Sequence, residues 1–159
     1  MHNSLRSRCG FTLVELSIVL VILGLLVGGV LTGQSLIRAA ELRAVSKEFQ
    51  TYQTAAMSFR DKYFGLPGDI TNATAFWGQN TVCGGGAATG VCNGNGDGIV
   101  NDAGVANGTN EVLQFWTQLA LAGMIEGSYT GIAGPTHGND STAGINVPRS
   151  KISSVGWFA

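Results

Sequence analysis

The stretch that decides the fold is Gly10-Phe11-Thr12-Leu13-Val14-Glu15-Leu16-Ser17-Ile18-Val19-Leu20-Val21-Ile22-Leu23. One carboxylate, Glu15, stands among large apolar side chains, and the 22 residues from Leu16 to Ile37 carry no charge at all. A membrane-spanning helix needs about 20 such residues, so the run is long enough to cross a bilayer. The 10 residues before Phe11 are polar and basic, with Arg6 and Arg8 and no acid. Basic then apolar is also the order of a cleaved secretory signal, whose apolar core is only about 7–15 residues and ends at a small-x-small site. Here the run is longer, no such site is clearly placed behind it, and helical patterning continues through Arg38. An acid at the centre of a membrane helix costs about 2.5–3.5 kcal/mol even on insertion-based scales, and such acids tend to be paired and functional. Glu15 needs a partner.

The combination of a short basic leader, Gly10, Phe11, Glu15 and the apolar run resembles the N-terminal cleavage and methylation motif of type IV pilins and type II secretion pseudopilins, over about the first quarter of the chain. The resemblance implies that prepilin peptidase cuts between Gly10 and Phe11 on the cytoplasmic side and methylates the new amino group of Phe11. Residues 1–10 are then the leader, 11–37 a transmembrane and polymerisation helix, and 38–159 the amphipathic half of the helix plus a globular head. It also implies a single pass through a bacterial inner membrane with the head in the periplasm, followed by entry into a periplasmic pseudopilus or a cell-surface pilus. Physics gives each position a reason. Gly10 has no side chain to obstruct a peptidase, and Arg6 and Arg8 hold the leader inside. Glu15 is suited to pair with the Phe11 amine of a neighbouring subunit in a homo- or heteropolymer, because removing one partner of a buried pair typically costs about 3–5 kcal/mol.

Proline is absent from Phe11 to Leu66, so nothing forbids one long helix. Gly24 and Gly28 have the small-residue spacing that permits close helix approach. After Arg38 the pattern becomes amphipathic: Val45, Phe49, Tyr52, Ala56, Phe59 and Tyr63 form one stripe, with Arg43, Lys47, Glu48, Gln50, Arg60 and Asp61 opposite. The stripe predicts packing against a sheet of the same chain, and Pro67-Gly68 after the helix suits the centre of a type II turn. The expected class is α+β and pilin-like: a long N-terminal helix, membrane-spanning in its first half, on a small antiparallel sheet head with a short second helix. That helix reads as Glu111 to Ala122, capped by Thr109 or Asn110 and ended by Gly123. Strand candidates are Ile132 to Ala133, Ile145 to Val147 and Ile152 to Phe158. The last is cut off at Ala159, the pattern of a truncated family member.

Two further features lie in the head. Cys83 and Cys92 frame a small glycine-rich loop, and if the head lies outside the cytoplasm the two can pair once Cys9 leaves with the leader. Asn93-Gly94-Asn95-Gly96-Asp97-Gly98-Ile99-Val100-Asn101-Asp102 follows. Oxygen-bearing side chains at loop positions one, three and five, glycine at six and an apolar residue at eight match the first half of an EF-hand calcium loop. Gly104 stands where that loop has glutamate, so Asp102 or Glu111 would have to close the site around Asn93, Asn95, Asp97 and Asn101. A polar turn rich in asparagine and glycine is the bland alternative.

Composition narrows the function classes. The chain has 159 residues, 45% hydrophobic and 12% charged, with 24 glycines and a net charge of −1. There is no basic excess for nucleic acid, and too much apolar content for intrinsic disorder. From Tyr63 onward six acids face two bases, Arg149 and Lys151, so the head is acidic. Outside the leader the only histidine is His137, and no nucleophile elbow, phosphate loop or clustered acid pair with a base is present, which disfavours an enzyme. A structural filament subunit is expected. The alternative, a membrane-anchored monomeric calcium-dependent binding module, leaves Glu15 unexplained.

Overall fold

A computed structural model describes residues 10–83, 90–101, 110–133, 141–152 and 156–157. Three α-helices follow in order: α1 (Leu13–Tyr63), α2 (Ala73–Trp77) and α3 (Glu111–Leu121), with a 3₁₀ turn at Thr81–Cys83 between the last two. The chain divides into two compact units, Met1–Leu42 and Arg43–Ala159. In the first unit the large apolar side chains of α1, from Leu13 through Ile37, are all exposed. Water would not tolerate such a surface. The helix is long and apolar enough to cross a membrane, and in hydrocarbon the same exposure is favourable.

In the second unit the α1 stripe faces inward at Tyr52, Phe59 and Tyr63, whereas Phe49 is exposed and Ala55, not Ala56, is the buried alanine. Ala55 and Phe59 are buried, with Tyr52 and Tyr63 packed against the core they help to form with Ile70, Ala73, Val91, Leu113, Trp116, Leu119 and Val147. Trp77 stacks on Phe59 with ring centroids 6.1 Å apart and leans on Tyr63 at 5.2 Å. The end of α1 is set by Phe64, which takes a left-handed conformation (φ 59°) while its N–H closes the last turn on the Arg60 carbonyl at 2.9 Å. At Leu66-Pro67-Gly68-Asp69 the Asp69 N–H reaches the Leu66 carbonyl at 3.1 Å and Gly68 has φ 89°, the geometry of a type II turn. A side chain at Gly68 would also strike the backbone of α3 at the Glu111 carbonyl. Glycine is required there twice over.

α3 is the centre of the head. Asn110 is its N-cap, accepting a 2.8 Å hydrogen bond from the Leu113 N–H. At its far end the Gly123 N–H bonds the Ala120 carbonyl and the Met124 N–H bonds the Leu119 carbonyl. With Gly123 at φ 71° this is a Schellman motif. Thr109, the other candidate cap, lies outside the described residues.

The expected antiparallel sheet is not found among the described residues, which form only three isolated bridges: Gln79 with Val91, Ala143 with Val147, and Arg149 with Gly156. Side-chain amides take the place of a ladder. Gln118 accepts from the Gly68 N–H at 2.7 Å and donates to the Cys92 carbonyl at 3.2 Å. Gln114 accepts from the Cys92 N–H at 3.0 Å and donates to the Gly131 carbonyl at 2.9 Å. Asn80 donates to the Gly90 carbonyl, and Asn146 donates to the Ile132 carbonyl while accepting from the Thr142 N–H. All four amide residues are buried, and each carboxamide presents the same donor and acceptor as a peptide group. Cys83 and Cys92 are joined by a disulfide with a Cα–Cα distance of 5.8 Å. The rest of the loop they frame, residues 84–89, lies outside the described residues.

Glu48 departs from the polar face on which its spacing placed it. Its carboxylate accepts hydrogen bonds from the Ser150 hydroxyl (3.2 Å), the Lys151 N–H (3.3 Å) and the Trp157 indole N–H (3.2 Å). Trp157 packs edge-on against Tyr52, with centroids 5.6 Å apart. The Tyr52 hydroxyl is pushed up to about 12, first by burial and then by the charges of Tyr129 and Glu48.

Candidate functional site

The N-terminal site begins with how α1 starts. Leu13 is the first helical residue, and the first backbone bond beneath it runs from the Leu16 N–H to the Thr12 carbonyl at 3.3 Å. Gly10, Phe11 and Thr12 are non-helical. Thr12 and Glu15 close a reciprocal pair at this end. The Thr12 hydroxyl accepts from the Glu15 N–H at 3.3 Å, and one Glu15 carboxylate oxygen accepts from both the Thr12 N–H and the Thr12 hydroxyl at 2.8 Å. This is a capping box, the Thr-x-x-Glu arrangement that satisfies otherwise orphaned donors at a helix start. A carboxylate there is also favoured by the helix dipole.

The sequence contains this signal, since Thr12 stands three residues before Glu15 ahead of an apolar run, yet its spacing directs attention to Glu15 alone. Around the pair the surface is apolar: Phe11 is 83% and Leu13 84% exposed. Gly10 is exposed as well, and a Cβ built on it meets nothing within 4 Å. The chain's own packing therefore does not demand glycine at that position. The same is true of Gly24, Gly28, Gly29 and Gly33, each open to solvent or to another chain. Arg6, Arg8 and Cys9 lie outside the described residues.

The head carries a second constellation. Carboxylate oxygens of Asp69, Asp97 and Glu111 all lie within 4.8 Å of one another. Asp69 and Glu111 are buried. Asp69 is held by the N–H groups of Gly96 (2.8 Å), Asp97 (3.1 Å) and Gly98 (3.0 Å). Glu111 is held by those of Asn95 (2.9 Å) and Asn101 (3.2 Å). The loop thus wraps its backbone donors around two acids that come from elsewhere in the sequence. Gly94 permits this, because its backbone runs against that of Asp69 too closely for a Cβ.

Of the expected ligands, Asp97 and Glu111 are in the cluster. Asn93 is turned away, its side-chain oxygen accepting from the Thr74 N–H in the first turn of α2 at 2.9 Å. Asn95 accepts from the Asp97 N–H and donates to the Asp97 carboxylate. Asn101 contributes its N–H to Glu111, and Asp102 lies outside the described residues. Asp69 is the member that sequence spacing missed. It sits 28 residues before Asp97, and its only local signal is its place directly after the Pro67-Gly68 turn.

No curated protein and no solved structure matches the chain. Over residues 5–31, which hold Gly10, Phe11, Thr12 and Glu15, it matches the family model described as the prokaryotic N-terminal methylation motif, the hallmark of type IV pilins and pseudopilins.

Proposed function

We propose that this chain is the structural subunit of a type IV pilus or type II secretion pseudopilus. It is cut by prepilin peptidase between Gly10 and Phe11, methylated on Phe11 and assembled through its N-terminal helix. The observation that carries this reading is the start of α1 capped by Thr12, two residues after Gly10, followed by apolar side chains from Leu13 to Ile37 that are all exposed. The open glycines support it: an exposed helical glycine costs about 1 kcal/mol relative to alanine, a penalty that close approach of another helix would offset. In this reading the subunit waits in the inner membrane with its head in the periplasm. Its work is structural, not catalytic, and its partners are the peptidase and other subunits. Mass spectrometry of the protein recovered from membranes tests it. A chain beginning at N-methylated Phe11 is the expected result, and an intact Met1 in cells that hold the peptidase would refute it.

Calcium in the head belongs to the same proposal. Asp69, Asp97 and Glu111 offer hard oxygen donors of the kind calcium takes, and the present partners of the two buried acids are neutral N–H groups. Among the described residues one Asp69 oxygen is filled by the Gly96 and Asp97 N–H groups, but its other oxygen and both Glu111 oxygens accept a single hydrogen bond each and retain lone-pair capacity for a cation. Added calcium is expected to raise the thermal midpoint of the detergent-solubilised full chain, and EDTA to lower it. Asp69→Asn should abolish most of the response. A midpoint indifferent to both reagents would leave the loop a backbone-satisfied turn and remove the site.

A further inference from the structure

We infer that Thr12 is a positioning residue for cleavage: as the N-cap of α1 it keeps the Gly10–Phe11 peptide out of the helix and so within reach of hydrolysis. The inference rests on the processing reading above and adds to it the element that sets the backbone of the scissile bond. Hydrolysis adds water across that amide. The water oxygen bonds to the Gly10 carbonyl carbon, the C–N bond breaks, and Phe11 leaves as an amine that takes up the proton. The carbonyl must therefore be open to attack and the peptide free to enter a binding cleft in extended form. A peptide inside a helix meets neither condition, because its carbonyl is tied to the N–H four residues on and its faces are covered by neighbouring turns.

Besides Gly10, whose place in a helix costs about 1 kcal/mol but does not forbid one, nothing in the sequence at this end compels the helix to stop. Phe11 is not a helix breaker, no proline precedes Leu66, and Ser4 and Ser7 upstream are themselves competent caps. What distinguishes Thr12 is Glu15 three residues later, which completes the reciprocal box that neither serine can form, since Ser7 and Gly10 stand at the matching positions. The observed geometry follows this choice. Three hydrogen bonds link Thr12 and Glu15, the helical ladder starts at the Thr12 carbonyl, and Gly10 and Phe11 lie before it. Remove the cap and the favoured start moves upstream, taking the Gly10–Phe11 peptide into the first turns.

Cleavage kinetics of the full-length chain, in membranes with its peptidase and followed by mass spectrometry, test the inference. Thr12→Val retains shape and removes the hydroxyl, and cleavage is expected to slow about fivefold, the population factor equivalent to a lost N-cap. Thr12→Ser and Thr12→Asn are both good caps of different shape and should restore the wild-type rate. Wild-type cleavage of Thr12→Val would overturn the inference, as would a Thr12→Asn chain cut as slowly as Thr12→Val, since the peptidase would then be reading threonine itself. Either result leaves the processing reading standing. That reading falls, and the inference with it, only if the wild-type chain is not cut between Gly10 and Phe11.

Discussion

Glu15→Ala is expected to reduce assembly by at least two orders of magnitude while leaving the protein in the membrane. Alanine removes a charge from an otherwise apolar helix, so insertion becomes easier. Among the described residues the carboxylate is satisfied by Thr12, through the backbone N–H and the hydroxyl. Those are neutral donors, adequate at a membrane surface but not in the apolar interior that the exposed side chains of Leu13, Val14, Leu16 and Ile18 would build around it in a polymer. There the carboxylate needs a cation, and the amine created at Phe11 by cleavage is the one the sequence supplies. Losing one partner of a buried pair costs about 3–5 kcal/mol, which is about two to four orders of magnitude in each subunit contact. Comparing membrane fractions with sheared filaments measures both outcomes. Glu15→Gln separates charge from capping, because it retains the capping box yet cannot pair with an amine. It should be cleaved normally and still fail to assemble, and incorporation of either variant at wild-type levels would remove the pairing role.

The parts of the structure legible in the sequence are those whose determinants are local. The apolar run, the stripe from Tyr52 to Tyr63, the Pro67-Gly68 turn, and the limits of α3 at Asn110 and Gly123 depend on side-chain periodicity or on a single residue's backbone preference, and both can be read within a few positions. The head's cohesion could not be read that way. A sheet announces itself by alternation, but here backbone groups of Gly68, Cys92 and Gly131 are met by two glutamines on α3, over separations of 50, 26, 22 and 17 residues. Gln114 and Gln118 sit four residues apart on a helix and look like an ordinary polar edge. Asp69 and Glu48 escape notice for the same reason. Each is an acid in a polar local context whose partners, the loop from Gly96 to Gly98 for Asp69 and Ser150, Lys151 and Trp157 for Glu48, arrive only on folding. Long-range bonds from side chain to backbone leave no period behind.

Gln118→Leu is the mutation expected to destabilise the head most. Leucine nearly matches the volume of glutamine but offers neither donor nor acceptor. The Gly68 N–H and the Cys92 carbonyl, both on buried residues, would lose the partners they have in Gln118. Each buried polar group left unsatisfied costs about 1–3 kcal/mol, so the pair amounts to roughly 2–6 kcal/mol before any gain from the apolar side chain. Domain stabilities are about 5–15 kcal/mol in total. The loss would also spread, because Gly68 sets the turn that brings Asp69 under the loop, and Cys92 is one end of the disulfide. Tryptophan fluorescence of the full chain in detergent follows the head selectively, since Trp77, Trp116 and Trp157 all lie in it. The thermal midpoint should fall by about 10 °C or more. Gln50→Leu, at an exposed position on α1, should move it by no more than about 2 °C, because surface substitutions usually stay within about 0.5 kcal/mol. If both variants melt like the wild type, the buried amides are passengers and the hydrophobic core around Phe59, Leu113 and Leu119 holds the head alone. If only Gln118→Leu collapses, the two glutamines of α3 perform in this head the bonding that a sheet would otherwise supply.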